Sequence, residues 1–319
     1  MKYNVGVAHR SYSFYSTEYS EWLADANINC YEVDLSKGEL DDKLQSLVTG
    51  NISVDQLDNY PKLEAVIVPF TGINQLDLDE LKRRNIHVFN STAHARFVAE
   101  RALTLTLAVM GKVVFFHNCL VKGEWGGRLA GAGGTGIKWN TLYNKRVAIY
   151  GYGTIGKELG NLLAPFNTEV GILNYKNRQF EGVDNFDSID ELSKWCDIFI
   201  VTAPLNEVTE GIIDKEVLIN LKGKVLINVG RGPIINEKDL YNSLISEGLS
   251  GFGSDVWYEY PDAEVECIQP SKYSFSSLDQ VVMTPHNGGG EIHADRDKYI
   301  DVASQLKQIS LGDYSSKVR

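Results

Sequence analysis

Three glycines with the spacing of a phosphate-binding turn occur at Gly151, Gly153 and Gly156. They follow a short β-branched run, RVAIY, and open a segment with helical patterning, KELGNLLAPF. In such a turn the first glycine permits a tight bend, the second lets the backbone approach a pyrophosphate, and the third lets helix and strand pack closely. The helix N-terminus, from Thr154 and Ile155 onward, supplies N–H donors and a positive dipole end. The pattern therefore predicts a dinucleotide-binding turn.

The end of the next predicted strand bears on which dinucleotide is bound. An acid at this place binds the ribose 2′-hydroxyl in proteins that prefer NAD. Here Asn174 stands 18 residues after Gly156, and Lys176 and Arg178 follow. A neutral side chain beside two cations suits a 2′-phosphate better than a free diol, so the pattern favours NADP while leaving NAD possible. The alternative, that both cations belong to a solvated surface loop, stays open.

Short β-branched runs alternate with helix-length segments along the chain. The first predicted strands are YNVGVAH, INCYEVD, EAVIVPF and IHVFN, with a helix over 15–26, a polar helical stretch before EAVIVPF and a helix from Leu78. The later strands are RVAIY, EVGILNY, CDIFIVTAP, KVLINVG, GFGSDVW and QVVMTPH. A long helix is predicted from near Phe97 past Met110, and a last one over about 292–311. Alternation of this kind indicates parallel βαβ units, so we expect an α/β fold of two doubly wound parallel-sheet domains.

The net charge and the cysteines indicate which partners and which cellular compartment are expected for the protein. The 319 residues include 42 acidic and 31 basic ones, a net charge of −11, so neither nucleic acid nor an anionic membrane is expected as a partner. The start, MKYNVGVAHR, lacks the apolar stretch of a signal peptide, and no segment reaches the roughly 20 apolar residues of a membrane span. Four cysteines lie far apart without a CxxC pair, so we expect reduced thiols, no metal site and a cytoplasmic protein.

A glycine-rich segment, GGRLAGAGGTG at 126–136, has a remote likeness to a P-loop. A P-loop needs lysine directly after its glycine, then Ser or Thr, between a strand and a helix. Here Ile137 separates Gly136 from Lys138, and Trp139 follows. We therefore expect a flexible surface loop.

Several separated motifs stand in a fixed order along the chain. They are PFTGINQLDLDELKRRNIHVFN, VAE at 98–100, GEW at 123–125, DIFIVTAPLNEVTEGII, INVGRGPIINEKDL, GFGSDVW and TPH. Together they closely resemble the D-isomer-specific 2-hydroxyacid dehydrogenases over almost the whole chain. The resemblance implies a Rossmann NAD(P)-binding domain at 99–290 and a discontinuous, flavodoxin-like substrate domain at 1–98 plus 291–319. It also implies a homodimer formed through the cofactor-binding domains.

The reduction of a 2-keto acid makes three demands: hydride at carbon, a proton donor at the carbonyl oxygen, and a cation for carbonyl and carboxylate. Arg231, in INVGRG after a predicted strand end, offers a permanent bidentate cation. His286, in TPH, matches the family's acid/base histidine. An imidazole with a pKa near ~6.5 suits proton transfer in both directions.

The resemblance also assigns binding residues. Backbone N–H groups of Thr71, Gly72 and Ile73 are expected to hold the substrate carboxylate. His94 stands where many relatives have Asn, and it either tunes substrate choice or is an ordinary loop histidine. Asp255 matches the acid that faces the nicotinamide carboxamide. The residues expected at the cofactor, besides those of the glycine turn, are Asn174, Lys176, Arg178, Ala203, Pro204, Val229, Gly230, Asp255 and Gly288.

One position departs from the family's pattern. Relatives carry a Glu five residues after the acid equivalent to Asp255, and it orients the acid/base histidine. The residue here is Tyr260, preceded by Glu259. We expect Tyr260 to occupy the orienting position beside His286. The alternative, a one-residue shift of the loop that brings Glu259 to the histidine, stays open.

These residues predict an NAD(P)-dependent oxidoreductase acting on a small 2-keto acid or D-2-hydroxy acid, such as glyoxylate, hydroxypyruvate or a branched keto acid. The alternative is a dinucleotide-binding regulatory relative of the co-repressor type, since such proteins keep the same arginine and histidine. Formate oxidation is disfavoured because Tyr260 stands where formate dehydrogenases have Gln. The choice of substrate is expected to depend on the loops around Phe70, His94 and Trp257.

Overall fold

The computed structural model of the chain describes residues 2–8, 12–73, 75–125, 136–174, 179–261, 265 and 267–318. It divides into two compact units: unit 1 comprises Met1–Ala95 and Gly290–Arg319, and unit 2 comprises Arg96–Gly289. The break after Ala95 lies three residues before the boundary expected after position 98. The break after Gly289 lies one residue before the boundary expected after position 290. Residues 126–135 of the glycine-rich segment, as well as Lys176 and Arg178, lie outside the described residues.

The described part of unit 1 is built on a parallel sheet of five strands. The strands are β1 (Tyr3–Val7), β2 (Ile28–Glu32), β3 (Ser46–Val48), β4 (Ala65–Val68) and β5 (His87–Asn90). Their order, β2-β1-β3-β4-β5, is flavodoxin-like, as the resemblance implied. Helices α1 (Tyr12–Trp22), α2 (Val54–Leu57) and α3 (Leu78–Arg83) lie between strands of this sheet.

The segment between β2 and β4 differs from the expected polar helical stretch. It contains β3, whose three residues are all buried, and the four-residue helix α2. β3 pairs with β1 on one side and β4 on the other, so its residues are buried by neighbours that are distant in sequence. A strand of three residues is too short for its side-chain alternation to be read from the sequence.

In the described part of unit 2, seven strands form a second parallel sheet. They are β6 (Arg146–Tyr150), β7 (Glu169–Leu173), β8 (Asp184–Phe186), β9 (Ile198–Val201), β10 (Val225–Asn228), β11 (Gly251–Ser254) and β12 (Val281–Met283). Their order is β12-β11-β10-β9-β6-β7-β8. From the β8 edge this is the doubly wound Rossmann order with one strand added beyond the sixth. Six of these strands were expected, and the edge strand β8 was not.

Helices cover both faces of the larger sheet. The helices that follow α3 are α4 (Ala95–Met110), α5 (Val113–Val121), α6 (Thr154–Leu163), α7 (Ile189–Trp195), α8 (Lys215–Asn220), α9 (Glu237–Ile245) and, in unit 1, α10 (Ala294–Ser310). Along β6, Val147 and Ile149 point into one hydrophobic cluster, whereas Ala148 and Tyr150 point into the other. Because both faces are packed, functional side chains are left to the strand ends.

The long helix expected to run past Met110 is interrupted there. Lys112 has a φ of 51°, a left-handed value that ends helical hydrogen bonding, and α5 begins one residue later. Consequently α4 and α5 are bent by 57°. No single helix among the described residues is long and apolar enough to cross a membrane, and only this bent pair meets the length and composition limits jointly.

Candidate active site

The glycine turn between β6 and α6 has the geometry that a dinucleotide requires. Gly151 has a φ of +109°, and a Cβ there would clash with the backbone nitrogen of Ala203. A Cβ on Gly156 would lie 2.6 Å from the carbonyl oxygen of Gly151, so glycine allows α6 to pack against the turn. A Cβ on Gly153 would meet nothing within 4 Å, and no described side chain caps α6. The turn therefore offers open space and helix N–H donors to a pyrophosphate.

The ends of the neighbouring strands β9 and β10 lie beside this turn. The hydroxyl of Thr202 donates to the carbonyl oxygen of Gly151 at 2.6 Å. A Cβ on Gly230 would lie 2.6 Å from the carbonyl oxygen of Ala203, so these two segments are in close backbone contact. The expected cofactor residues on these two strand ends are Ala203, Pro204, Val229 and Gly230. The carboxyl ends of β6, β9 and β10 thus meet where the strand order reverses, the usual ligand position in such sheets.

A cavity of about 540 Å³ adjoins the glycine turn. It is lined by Tyr152, Gly153, Thr154, Lys157, Glu158, Gln179 and Phe180. Its volume falls within the range of small-molecule and cofactor sites. The Nζ of Lys157 lies 5.2 Å from the centroid of the Phe180 ring, which places a cation in the cavity wall.

Asn174 follows β7 directly and is held by the segment around β8. Its backbone N–H donates to the carbonyl oxygen of Phe186 at 2.7 Å, and its Nδ2 donates to a carboxylate oxygen of Asp187 at 3.3 Å. Its Oδ1 is buried and has no hydrogen-bond partner in the described structure. Asp187 follows the edge strand β8, which was not predicted, so its place beside Asn174 was not predicted either. The side chain of Asn174 is neutral, but the carboxylate of Asp187 lies beside it.

Arg231 is held in place by the side chain of Asn228, whose role was not predicted from the sequence. Asn228, the last residue of β10, is 1% exposed. Its Oδ1 accepts from the backbone N–H of Gly230 at 3.0 Å, and its Nδ2 donates to the carbonyl oxygen of Arg231 at 3.0 Å. These two hydrogen bonds fix the turn that presents the guanidinium. Burial lowers the pKa of Arg231, yet a guanidinium remains charged at any physiological pH.

His286 follows β12 with a φ of 55°, an uncommon value for a residue other than glycine. The ring of Tyr260 packs against its imidazole, with centroids 5.4 Å apart and planes at 55°. Desolvation lowers the pKa of His286 although the residue is partly exposed, and the positive charge of Arg231 lowers this pKa further. The carboxylate of Asp255 acts in the opposite direction. The cation and the acid/base group are therefore close enough to influence each other.

Glu259 and Tyr260 have different environments. The Glu259 side chain is exposed, and its backbone N–H donates to the carbonyl oxygen of Pro270 at 3.0 Å. Tyr260 contacts His286 through its ring, whereas its hydroxyl accepts from the backbone N–H of Trp257 at 2.9 Å. The geometry is compatible with the expected place of Tyr260, which stays a prediction, but the contact is aromatic packing rather than a hydrogen bond from the hydroxyl.

The substrate-binding residues expected in the other unit form a small polar cluster. Thr71 Oγ1 and His94 Nε2 are 3.2 Å apart, and Asn90 Nδ2 donates to the carbonyl oxygen of Thr71 at 2.8 Å. His94 is 7% exposed, and its Nδ1 has no hydrogen-bond partner in the described structure. Burial, followed by the positive charge of Lys298, lowers the pKa of His94 to about 4. His94 is therefore neutral at physiological pH. Gly72 and Ile73 follow Thr71 on a half-buried loop.

A family model described as "D-isomer specific 2-hydroxyacid dehydrogenase, NAD binding domain" matches residues 103–288, more than half of the chain. The chain belongs to this family. It is therefore an oxidoreductase with a nicotinamide-dinucleotide-binding domain, as the sequence predicted. The matched segment contains the glycine turn, Arg231 and His286.

Individual relatives agree with the family match over most of the chain. The 2-ketogluconate reductase of Gluconobacter oxydans is 28% identical over 255 residues, covering 78% of this chain and 77% of that protein. The hydroxyphenylpyruvate reductase of Plectranthus scutellarioides is 30% identical over 239 residues, covering 74% and 72%. A Pyrococcus horikoshii protein of known crystal structure superposes with a TM-score of 0.84 at 26% identity, covering 100% of this chain and 96% of that one.

Within this 2-hydroxyacid dehydrogenase, the carboxylate of Asp255 is bound by the loop around His286, a contact that was not predicted from the sequence. Asp255 is 2% exposed, and Thr284, Asn287 and Gly288 all donate hydrogen bonds to its carboxylate. The expected contact with a carboxamide follows from the resemblance alone. The contacts with the loop around His286 were not foreseen, because nothing local in the sequence links two segments about 30 residues apart.

Proposed function

We propose that the enzyme reduces a small 2-keto acid to the corresponding D-2-hydroxy acid, with NADPH preferred over NADH. The observation that carries this proposal is the proximity of Arg231 to His286, which brings a permanent cation and a proton donor together in the unit that contains the glycine turn. The relatives named above reduce 2-ketogluconate and hydroxyphenylpyruvate according to their names, and both names denote keto acids.

The glycine turn fits a nicotinamide dinucleotide on structural grounds. Gly153 faces open space, α6 has no side-chain cap among the described residues, and the adjoining cavity measures about 540 Å³. In this proposal, the N–H groups of Thr154 and Ile155 bind the pyrophosphate, and Ala203, Pro204, Val229 and Gly230 line the opposite side. When bound, the reduced nicotinamide supplies hydride to the carbonyl carbon.

The protein's own groups supply the charge and the proton. Arg231 binds the carboxylate and the carbonyl oxygen, where negative charge develops as hydride arrives. His286 holds a proton on its imidazole and donates it to that oxygen; in the reverse direction the neutral imidazole accepts it. Tyr260 orients the imidazole through ring contact. We also propose that the N–H groups of Thr71, Gly72 and Ile73 bind the carboxylate, and that His94 tunes substrate choice through Thr71.

The preference for NADPH rests on the charge near the adenosine ribose. Asn174 is neutral, and Lys176 and Arg178 follow it in the sequence. Lys157 adds a cation in the wall of the adjoining cavity. The carboxylate of Asp187 beside Asn174 opposes this preference, since it would repel a 2′-phosphate.

A second copy of the chain is the partner we propose, bound through helix α5. Seven of the nine residues in α5, VVFFHNCLV, are apolar, yet none is buried. Val113, Leu120 and Val121 are 57%, 53% and 73% exposed. A contiguous exposed apolar face of this kind marks an interaction surface. The family resemblance, which implies a dimer through the cofactor-binding domains, identifies the partner as an identical chain.

The cytoplasm is the compartment that we propose. None of the four cysteines forms a disulfide within the described structure, as is usual where thiols stay reduced. Fluorescence microscopy of the tagged chain in its native host tests this location. A signal confined to another compartment would refute it.

The decisive experiment for the reaction is steady-state oxidation of NADPH with a panel of keto acids. The panel contains glyoxylate, hydroxypyruvate, a branched 2-keto acid, 2-ketogluconate and hydroxyphenylpyruvate, and calorimetry measures dinucleotide binding in parallel. We expect saturable turnover of at least one compound. Formate oxidation with NADP or NAD is assayed as well. Tight dinucleotide binding without turnover of formate or of any keto acid in the panel would support the regulatory, co-repressor-like alternative.

A further inference from the structure

The carboxylate of Asp255 is enclosed by the loop that carries His286. Its Oδ1 accepts from the Thr284 hydroxyl at 2.6 Å and from the Asn287 backbone N–H at 3.1 Å, and its Oδ2 accepts from the Gly288 N–H at 2.7 Å. All three donors belong to the five residues 284–288. A buried carboxylate must be satisfied by donors, and charge-assisted hydrogen bonds of this length are stronger than neutral ones. The contacts therefore stabilise one arrangement of this loop.

The backbone between these donors is in an unusual conformation. His286, with its φ of 55°, lies between Thr284 and Asn287. Left-handed residues other than glycine persist where their surroundings determine the conformation, and they cluster at functional sites. At Gly288 a Cβ would lie 2.8 Å from Asp255 Oδ2, so a side chain would disturb the Gly288–Asp255 contact. The loop closes around the carboxylate with His286 at its turn.

The start of the loop is anchored independently of Asp255. The backbone N–H of Thr284 donates to the carbonyl oxygen of Ser254 at 2.9 Å, and its own carbonyl oxygen accepts from Trp257 Nε1 at 2.9 Å. The Thr284 hydroxyl is thus held in place to bind Asp255. The Tyr260 ring restrains the imidazole by packing, and the Tyr260 hydroxyl accepts from the Trp257 backbone, so the backbone of the loop must also hold His286 in place.

We propose that Thr284 and Asp255 are positioning residues that hold His286 in place for proton transfer by fixing the backbone of residues 284–288. This rests on the proposed function, in which His286 exchanges the proton. It assigns Thr284 a role and gives Asp255 a task separate from any contact with the nicotinamide.

The test removes the Thr284 hydroxyl and leaves the carboxylate in place. Thr284→Val deletes the donor at nearly constant volume, and Thr284→Ser retains it. Thr106→Val is the matched control: the buried Thr106 hydroxyl donates to the carbonyl oxygen of Ala102 within helix α4. Three quantities are measured for each variant: the single-turnover rate of NADPH oxidation with the best keto acid, the KM for that acid, and the Kd for NADPH alone.

We expect Thr284→Val to lower the single-turnover rate about tenfold to a hundredfold, since displacements near 1 Å in an active site cost up to about a hundredfold. The KM and the Kd for NADPH should stay within twofold, Thr284→Ser should restore the rate, and Thr106→Val should leave it unchanged. A weaker Kd with an unchanged rate would overturn the proposal, because Asp255 would then serve the cofactor rather than the loop.

A second measurement needs no turnover and separates this proposal from the proposed function. The Cε1–H signal of His286 in a carbon–proton NMR spectrum is assigned among the six histidines by its absence in His286→Asn. We expect Thr284→Val to move this signal and Thr284→Ser to leave it close to the original position. An unmoved signal in Thr284→Val would refute the positioning role of Thr284 and Asp255, whether or not the protein reduces keto acids. A moved signal in a protein without turnover would refute only the proposed function.

Discussion

The ring of Tyr260 packs against the imidazole of His286 with ring centroids 5.4 Å apart, while the Tyr260 hydroxyl accepts a hydrogen bond from the Trp257 backbone. The contact restrains the imidazole but supplies no negative charge to an imidazolium. Desolvation and the cation of Arg231 both lower the pKa of His286. The proton donor of the proposed reduction is therefore a stronger acid than an ordinary histidine.

Replacing Tyr260 by Glu should move the pH–rate profile of keto-acid reduction. Reduction needs protonated His286, so the rate falls as pH rises through the histidine's pKa. A carboxylate beside the ring raises this pKa, and the falling limb should shift to higher pH in Tyr260→Glu. The measurement is kcat/KM for the keto acid over pH 5 to 9.

Glu259→Gln is the matched control for this prediction, because it removes an exposed carboxylate one residue away. Its profile should follow that of the unmodified enzyme. A loss of about 10–100-fold in Glu259→Gln, typical of a lost outer-shell partner, would show that Glu259 orients the histidine instead.

Removing the Arg231 side chain should impair chemistry without impairing dinucleotide binding. Loss of one electrostatic contact to a developing oxyanion costs roughly 10²–10³ in rate, and Arg231 is also proposed to bind the carboxylate. We therefore expect kcat/KM for the keto acid to fall at least a hundredfold in Arg231→Ala, while calorimetry gives a Kd for NADPH within about twofold of the original. A loss below tenfold would exclude Arg231 from the chemistry.

The features that sequence predicted well are those that neighbouring residues determine. The spacing of Gly151, Gly153 and Gly156 was sufficient to predict the turn, because a Cβ would clash at Gly151 and Gly156 and Gly153 leaves open space for a ligand. The fold class, two doubly wound parallel-sheet domains, followed from the alternation of strands with helices together with the resemblance. Such features carry a signal within one short segment of sequence.

The features that were missed depend on contacts between distant segments. β3 and β8 have three residues each, so their place in the sheets comes from the strands beside them. The pairing of Asn174 with Asp187 required β8 to be known. Asn228 is the second residue of INVGRG, and its position at a strand end three residues before Arg231 was the one local signal that pointed to it.

The buried His94 should make the stability of unit 1 depend on pH. Its pKa is about 4 in the folded chain, below the ordinary value of 6.5. Between these pH values the unfolded chain binds a proton that the folded chain does not, so the free energy of unfolding falls as pH drops. The shift corresponds to at most about 3 kcal/mol, lost as pH falls from 6.5 toward 4.

Urea unfolding at pH 7 and pH 4.5 measures this effect. The free energy of unfolding should fall less between these pH values in His94→Asn than in the unmodified protein. His293→Asn, which changes an exposed histidine of the same unit, is the control. Equal pH dependence in His94→Asn and the unmodified protein would refute the buried, neutral state of His94.

A charge on helix α5 should break the proposed homodimer. Val121→Glu places a carboxylate on the apolar face, where desolvation at an interface opposes association. We expect sedimentation to show a dimer for the unmodified protein and a monomer, or a Kd weakened at least tenfold, for the variant. Leu40→Glu is the control and should leave the dimer intact. Leu40 is 71% exposed, against 73% for Val121, and it lies outside unit 2. A dimer that persists in Val121→Glu would place the interface elsewhere.

The choice between NADPH and NADH should follow the charge beside the adenosine ribose. Asn174→Asp adds a carboxylate where a 2′-phosphate would lie, so the ratio of kcat/KM for NADPH to that for NADH should fall. Asp187→Asn removes the carboxylate that Asn174 contacts, so the same ratio should rise. One charge pair near the surface is worth about 1–4 kcal/mol, so each change should alter the ratio about fivefold or more. Asp184→Asn, the same chemical change at an exposed residue of β8, is the control and should leave the ratio unaltered. A clear NADH preference in the unmodified enzyme would contradict the proposed preference, and Asp187→Asn would then show whether Asp187 is its cause.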